Sequence, residues 1–250
     1  FIKSSPITYV VDQRLATVDS DRQADRKFTE LPDLQGVIQS DEWIAKWNKV
    51  SERAQKLIGS MSGWNEAVIA RTIAATIPDG TALFVSSSRP IRDLEGFAHP
   101  RTGVHTYANR GLAGIDGNIS TALGVAYGHK ATIAVLGDLS FLHDLTGLIN
   151  KEEINCRFIV INNDGGGIFS TLPQRGVNGF ETVFGTPHGL NPAAIAQAMG
   201  VQAKQITSLK ELAAEVKAPI SGVSVVVCDV PDRESNADTL KRVVEDLSSI

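Results

Sequence analysis

The sequence predicts a doubly wound α/β domain built on a mostly parallel, six-stranded sheet. Apolar, β-branched runs alternate with helix-like segments after residue 80, which is the pattern of this fold class. The clearest unit reads strand, helix, strand at residues 131–136, 141–150 and 157–161. A right-handed crossover would make its two strands parallel neighbours. Polar turns at residues 86–88, 109–111 and 137–140 follow three strands, so they should meet at one edge of the sheet.

The other elements follow from local patterns taken in chain order. Short apolar runs predict further strands at residues 6–11, 81–85, 106–109, 202–206 and 223–230. Residues 12–34 are charged and aperiodic, which predicts a linker or the edge of another domain. Apolar residues at helical spacing predict helices at residues 41–58, 65–77, 119–127 and about 236–247. Asn191-Pro192 should begin a helix, and Ser208 with Glu211 forms a capping box that begins another.

Composition excludes several classes of function. The 250 residues are 42% hydrophobic and 21% charged, with a net charge of −4, and no basic cluster suggests nucleic-acid binding. No apolar run approaches the length of a membrane span, and no signal peptide opens the chain. Cys156 and Cys228 lie in or beside apolar runs, so we expect buried free thiols in a reducing, cytoplasmic compartment. The start at Phe1 is typical of a fragment or a processed piece.

Oxygen-bearing residues follow both strands of the central unit. Asp138 and Asn163 end neighbouring strands, and glycines at 165–167 would let the backbone turn a carbonyl inward. Such oxygens, with water and phosphate oxygens, are the ligands that Mg²⁺ prefers. Each half also has a purely structural interpretation, in which Asp138 caps a helix and the glycines form a turn. Because both segments follow neighbouring strands of the same strand–helix–strand unit, we favour the metal-binding interpretation.

These residues resemble the diphosphate- and magnesium-binding motif of thiamine-diphosphate enzymes. Within that group, Gly-Asp-Leu-Ser at 137–140 and Asn-Asn-Asp-Gly-Gly-Gly-Ile-Phe-Ser at 162–170 are similar to one family, the 2-succinyl-5-enolpyruvyl-6-hydroxy-3-cyclohexene-1-carboxylate synthases of menaquinone biosynthesis. The stretches at 109–111, 114–117 and 185–190 also resemble that family, and the similarity runs from about residue 44 to 232. Leu139 stands where most of the wider group has glycine.

The resemblance implies thiamine diphosphate and Mg²⁺ as cofactors and assigns the site residues. The implied metal ligands are Asp138, Asn163 and Gly165. The implied cofactor-binding residues are Ile115, Gly137, Asp138, Leu139, Ser140, Asn163, Gly165, Gly166 and Ile168. Ser88, Arg92, Arg110 and Phe169 would bind the substrates. Taken alone, either arginine could be a solvated surface residue, and Ile115, Ile168 and Phe169 could be plain loop core. His188 is the one histidine near these residues.

The implied reaction is decarboxylation of 2-oxoglutarate and 1,4-addition of the remaining fragment to isochorismate. The family needs an activating glutamate on a separate domain, and nothing in the chain resembles that domain, so no catalytic residue is assigned here. We expect the segment alone to be inactive and the glutamate to come from a partner subunit of a homodimer or homotetramer. Residues 1–38 would be a remnant of a central domain and linker, and 39–250 the diphosphate-binding domain with its leading helices.

Two other interpretations remain open. An acetolactate-synthase-like enzyme or a 2-oxo-acid decarboxylase would share the cofactor, although Leu139 and two arginines argue against small 2-oxo acids. A non-catalytic Mg²⁺-nucleotide-binding α/β module would use Asp138 without chemistry, but the chain has no P-loop motif.

Overall fold

The computed structural model describes residues 6–13, 24–33, 40–149 and 153–249. The chain divides into two compact units, Phe1–Ser51 and Glu52–Ile250. The domain boundary predicted between residues 38 and 39 lies outside the described residues and stays a prediction. In the first unit, β1 (Tyr9–Val11) pairs in parallel with β2 (Arg26–Phe28). The second of these strands lies in the segment predicted to be a linker or the edge of another domain, and that prediction stays open.

The second unit contains a six-stranded, all-parallel sheet. Its strands are β3 (Ala82–Val85), β4 (His105–Tyr107), β5 (Thr132–Gly137), β6 (Cys156–Asn162), β7 (Gln202–Ile206) and β8 (Val223–Asp229). Their order across the sheet is β4-β3-β5-β6-β8-β7, and every neighbouring pair is parallel. The predicted sheet is therefore confirmed, and the carboxyl ends of β3, β5 and β6 lie side by side.

Helices precede, connect and follow these strands. They are α1 (Asp41–Ser60), α2 (Glu66–Thr76), α3 (Arg89–Phe97), α4 (Asn118–Tyr127), α5 (Asp138–His143), α6 (Pro192–Ala198), α7 (Leu209–Lys217) and α8 (Arg233–Ser248). Short 3₁₀ segments occupy Leu145–Ile149 and Gly167–Thr171, and Glu181–Gly185 forms a short π-helix. Side-chain caps begin two helices as their sequences predict, since Asn191 and Ser208 accept hydrogen bonds from the backbone N–H three residues later. Asn65 caps α2 in the same way.

Two hydrophobic cores cover the two faces of the sheet, which makes the fold doubly wound. Alternate residues of a strand point to opposite faces. Phe158 and Val160 of β6 accordingly belong to the core that α4 and α6 cover. Ile159 and Ile161 belong to the core that α2 and α7 cover. The parallel sheet is thus buried on both sides, which leaves its edges and strand ends for ligands.

The helix after β5 begins earlier than its sequence predicts. It starts at Asp138 rather than at 141, and it ends at His143. Asp144 interrupts it because the Asp144 carboxylate accepts hydrogen bonds from the Ser120 backbone N–H (2.7 Å) and hydroxyl (3.1 Å). Asp138 is therefore the first helical residue, and it is not the cap of the helix.

Both cysteines are free and buried, as predicted. Burial raises the pKa of the Cys156 thiol to about 12, and it raises the pKa of Cys228 as well. The reducing compartment inferred from these thiols stays a prediction. No helix among the described residues combines the length and apolar character that a membrane span requires.

Candidate functional site

A groove lies at the carboxyl ends of β3, β5 and β6, with a volume of about 190 Å³. It brings together all of the residues predicted to hold the cofactor and Mg²⁺, together with two of the four residues predicted to bind substrate. Its predicted lining residues are Ser88, Ile115, Gly137, Asp138, Leu139, Ser140, Asn163, Gly165, Gly166, Ile168 and Phe169. These residues are far apart in sequence, and the parallel register of the neighbouring strands brings them together, as predicted.

Asp138 ties the two strand ends together. The residue is 2% exposed, and its Oδ2 accepts hydrogen bonds from the backbone N–H groups of Asn163 (3.2 Å) and Gly165 (2.8 Å). Its Oδ1 accepts from the Leu139 N–H at 2.7 Å. A carboxylate has about four lone-pair sites, so these bonds fix its orientation and leave acceptor capacity toward the groove.

Asn163 presents an unpartnered oxygen. The residue is 8% exposed, and its Nδ2 donates to Glu66 Oε1 at 2.6 Å. Its Oδ1 is buried and has no hydrogen-bond partner among the described residues. Buried polar atoms in folded proteins are nearly always satisfied, so an orphaned oxygen in a groove indicates a ligand. An amide oxygen suits a hard cation.

Two glycines let the loop after β6 pass close to the rest of the site. Gly165 has φ +129°, a conformation that L side chains rarely adopt, and a Cβ there would collide with the Gly185 carbonyl oxygen. A Cβ on Gly166 would collide with the Phe184 carbonyl oxygen. Arg233, from the first turn of α8, donates to the carbonyl oxygens of Asp164 and Gly185, both at 2.6 Å. The glycine loop and the 181–185 turn are thereby held against each other.

His188 contacts the predicted metal ligand directly. Its Nε2 lies 3.3 Å from Asp138 Oδ2, while its Nδ1 accepts a hydrogen bond from the Leu190 N–H at 3.0 Å. The hydrogen bond to Asp138 raises the pKa of His188, desolvation opposes it, and the charges of Asp138 and Asp164 add to the increase. His188 is therefore a neighbour of the predicted metal ligand Asp138, and two hydrogen bonds hold its ring in place.

The turn after β3 supplies a strained serine to the groove. Ser88 has φ 75°, an uncommon conformation for a residue other than glycine, and its hydroxyl does not cap α3. The adjacent Ser87 Oγ is buried without a hydrogen-bond partner among the described residues, and it lines the same groove. Backbone strain of this kind is concentrated at functional sites.

The structure does not place Arg92 and Arg110 in this groove. Both line a second cavity of about 600 Å³ beside α2, α3 and β4, with a largely apolar wall. Arg92 Nη1 donates to the Ser88 carbonyl oxygen at 2.7 Å, so it borders the groove through that turn. The predicted cluster of Ser88 with two arginines is thus split between neighbouring cavities, because the direction of a long side chain is not set by the position of its strand end.

Three important residues near the site escaped the sequence analysis. The carboxylates of Glu66 and Asp93 are buried, and the partly buried Arg89 pairs with both of them. Burial raises the pKa of Asp93 to about 7, against the opposing effect of Arg89. In sequence, Glu66 looks like an ordinary acidic residue in a first helical turn, and only its position before an apolar helix could have signalled a special role.

The donor set of the groove fits Mg²⁺ with a diphosphate. Asp138 offers a carboxylate and Asn163 an unpartnered amide oxygen, while the glycine loop leaves no room for side chains. Among the described residues, no group of three or more His, Cys, Asp and Glu side chains could hold a metal ion. A cation here would therefore complete its shell with backbone, water and phosphate oxygens, which is how Mg²⁺ binds.

Comparison with known proteins identifies the same region. Residues 93–230 match the family model described as the thiamine pyrophosphate enzyme, C-terminal TPP binding domain. Thiamine pyrophosphate is another name for thiamine diphosphate. An X-ray structure assigned to the thiamin diphosphate-dependent enzymes, from Mycobacterium smegmatis, aligns with a TM-score of 0.50 and 20% identity over 67% of this chain and 32% of that one. That likeness shows the fold.

Several curated relatives carry one name. The chain is 38% identical over 199 residues to a 2-succinyl-5-enolpyruvyl-6-hydroxy-3-cyclohexene-1-carboxylate synthase of Thermobifida fusca, covering 76% of this chain and 35% of the relative. Synthases of the same name from Bacillus cytotoxicus and Nocardia farcinica are 35% and 39% identical, over 82% and 74% of this chain and 36% of each relative. The chain thus spans about a third of the length of the curated relatives it matches.

Proposed function

The chain belongs to the family of thiamine pyrophosphate enzyme C-terminal TPP binding domains, and we propose that it binds the diphosphate and Mg²⁺ in a larger enzyme. That enzyme would be a 2-succinyl-5-enolpyruvyl-6-hydroxy-3-cyclohexene-1-carboxylate synthase, like the relatives. The observation that carries the proposal is the pair of oxygen donors at neighbouring strand ends, with Asn163 Oδ1 buried and unpartnered beside Asp138. The proposed reaction is inferred from the name of the relatives, and the groove is the proposed binding site of the cofactor.

In this proposal, Asp138, Asn163 and the Gly165 carbonyl hold Mg²⁺. The Gly165 carbonyl already accepts a bond from the Gly167 N–H at 3.0 Å, and its second lone pair is the one offered to the metal. The narrow loop at Gly165 and Gly166 leaves the backbone next to the diphosphate. Ile115 and Ile168 supply apolar wall for the cofactor. When bound, thiamine diphosphate supplies the electron sink for decarboxylation of a 2-oxo acid.

The substrate carboxylates would meet Ser88, Arg92 and Arg110. The substrates proposed, 2-oxoglutarate and isochorismate, are both dianions, and guanidinium groups bind carboxylates through two parallel hydrogen bonds. The cavity lined by Arg92 and Arg110 opens beside the turn that carries Ser88, so one substrate could span from that cavity to the groove. Phe169 forms an apolar wall of the groove, in contact with Phe184 (ring centroids 5.4 Å apart).

The activating glutamate is proposed to lie outside these 250 residues, on a partner subunit of a homo-oligomer. Asp138 lines the groove and its carboxylate already accepts from backbone N–H groups, while the carboxylate of Glu66, beside the groove, is engaged with Asn163 and Arg89. This chain then binds and orients the cofactor and part of the substrates, and the partner supplies the proton relay.

Calorimetry on the full-length protein tests the cofactor. We expect saturable binding of thiamine diphosphate that depends on Mg²⁺, and no comparable binding of ATP with Mg²⁺. A kinetic assay then tests the substrates, with 2-oxoglutarate plus isochorismate compared with pyruvate alone. Turnover of pyruvate with indifference to isochorismate would favour an acetolactate-synthase-like enzyme or a decarboxylase, and tight ATP binding would favour a nucleotide module.

A further inference from the structure

The side-chain amide of Asn163 can serve a cation in only one of its two orientations. Its oxygen can coordinate a metal, whereas its NH₂ group repels one. The two orientations differ by a 180° turn about the terminal bond and have nearly the same shape. Something outside the amide must therefore select the orientation that presents oxygen to the groove.

Glu66 makes that selection. Its Oε1 accepts from Asn163 Nδ2 at 2.6 Å, and both residues are buried, with 5% and 8% exposed. An ionised carboxylate accepts hydrogen bonds and donates none, so the amide nitrogen must face Glu66 and the amide oxygen must face away. The oxygen so placed is the buried Oδ1 that has no partner among the described residues.

The neighbours of Glu66 hold its carboxylate in place. Arg89 Nε lies 3.4 Å from Glu66 Oε2 and provides the counter-charge. The Glu66 backbone N–H, which has no partner within α2, donates a hydrogen bond to Asn236 Oδ1 at 3.4 Å. Each carboxylate oxygen thus has a separate task, with Oε2 toward Arg89 and Oε1 toward Asn163.

We infer that Glu66 is a positioning residue for the metal: it fixes the flip of the Asn163 amide so that Oδ1 is presented to the cation. The inference rests on the proposed Mg²⁺ site and adds to it a residue on α2, 97 positions away in sequence. Partners that orient metal ligands commonly contribute 10- to 100-fold to metal affinity.

Glu66→Gln isolates this effect with almost no change in volume. Arg89 donates only, so the new amide turns its oxygen toward Arg89 and its NH₂ toward position 163. Asn163 must then turn its own oxygen to that NH₂, which presents the wrong end to the metal. The double variant Glu66→Gln/Asn163→Asp exchanges the donor and the acceptor. In it, the amide introduced at position 66 donates to one oxygen of the carboxylate introduced at position 163, and the other oxygen of that carboxylate faces the groove again.

The measurement is Mn²⁺ binding in the presence of thiamine diphosphate, followed by electron paramagnetic resonance on the full-length protein, with Mn²⁺ replacing Mg²⁺. We expect roughly 10- to 100-fold weaker binding for Glu66→Gln and recovery to within about threefold of the natural protein for the double variant. The thermal midpoint of each metal-free protein is recorded as well. A merely structural role for Glu66 predicts a lower midpoint without rescue of metal affinity by Asn163→Asp.

The outcomes separate this inference from the proposal beneath it. If the natural protein binds no Mn²⁺ with thiamine diphosphate, the proposed site and the inference both fall. If the natural protein binds Mn²⁺ and Glu66→Gln binds it equally well, the site stands and the positioning role of Glu66 is refuted. A double variant as weak as Glu66→Gln refutes it too.

Discussion

Replacing Asp138 by alanine should damage both the metal site and the fold around it. At first sight, a residue at a strand end would bind the cofactor without supporting the structure. The structure shows instead that Asp138 is 2% exposed and that its carboxylate accepts hydrogen bonds from the backbone N–H groups of Leu139, Asn163 and Gly165. Alanine removes every one of these acceptors, so we expect the metal-free protein to lose stability as well.

The size of the loss follows from those three bonds. A hydrogen bond to a charged group contributes about 1.5–3 kcal/mol, so three at the lower value amount to about 4.5 kcal/mol. For a unit of this size, 1 kcal/mol shifts the thermal midpoint by about 2–4 °C. Asp138→Ala should therefore lower the midpoint of the metal-free protein by about 9–18 °C. Asp138→Asn keeps one oxygen at the Oδ2 position and leaves only the Leu139 N–H unpaired, so at the same lower value of about 1.5 kcal/mol its midpoint should fall by only about 3–6 °C.

Differential scanning fluorimetry of the metal-free full-length proteins measures these midpoints, and calorimetry measures cofactor binding. Both variants should lose Mg²⁺-dependent binding of thiamine diphosphate, because both lose the charge, while only Asp138→Ala should be strongly destabilised. A midpoint for Asp138→Ala within about 2 °C of the natural protein would refute the structural part of the reasoning. Unchanged cofactor binding by Asp138→Asn would refute the metal assignment.

Three further predictions concern the surroundings of the site. Gly166→Ala should abolish cofactor binding, measured by calorimetry, because the new Cβ would collide with the Phe184 carbonyl oxygen. The control Gly96→Ala has open space around its new Cβ, so thermal unfolding should show it to be neutral or more stable by up to about 1 kcal/mol. Arg110→Ala should lower kcat/KM for one substrate by roughly 10- to 100-fold without changing cofactor affinity, and the opposite pattern in steady-state kinetics would make Arg110 a cofactor ligand. Burial raises the pKa of Asp93 from 3.8 to about 7, so the folded state holds the proton more tightly than the unfolded state does. The stability that this group contributes is therefore full below about pH 4 and is lost as the pH rises through about 7. Asp93→Asn should flatten the curve of thermal midpoint against pH over that window.

The sequence by itself determined the helices and strands, and it determined that the proposed ligand site lies at the carboxyl ends of the sheet strands. Strand periodicity, turn residues and caps are local signals, and each acts within a few residues. Parallel connections then force the ends of β5 and β6 to be neighbours, so the proximity of Asp138 and Asn163 follows from chain order alone. The similarity at residues 137–140 and 162–170 pointed to the family that the comparison later showed.

Tertiary structure alone decided what surrounds that edge. Glu66 reaches Asn163 across 97 positions because α2 packs beside the sheet end, and no local pattern encodes that contact. The side chains of Arg92 and Arg110 enter a separate cavity, since long side chains choose among rotamers according to the space that packing leaves. Local physics fixes where a chain turns and which residues end its strands, whereas contacts between distant segments depend on how completed elements pack, and that packing orients the ligands of the site.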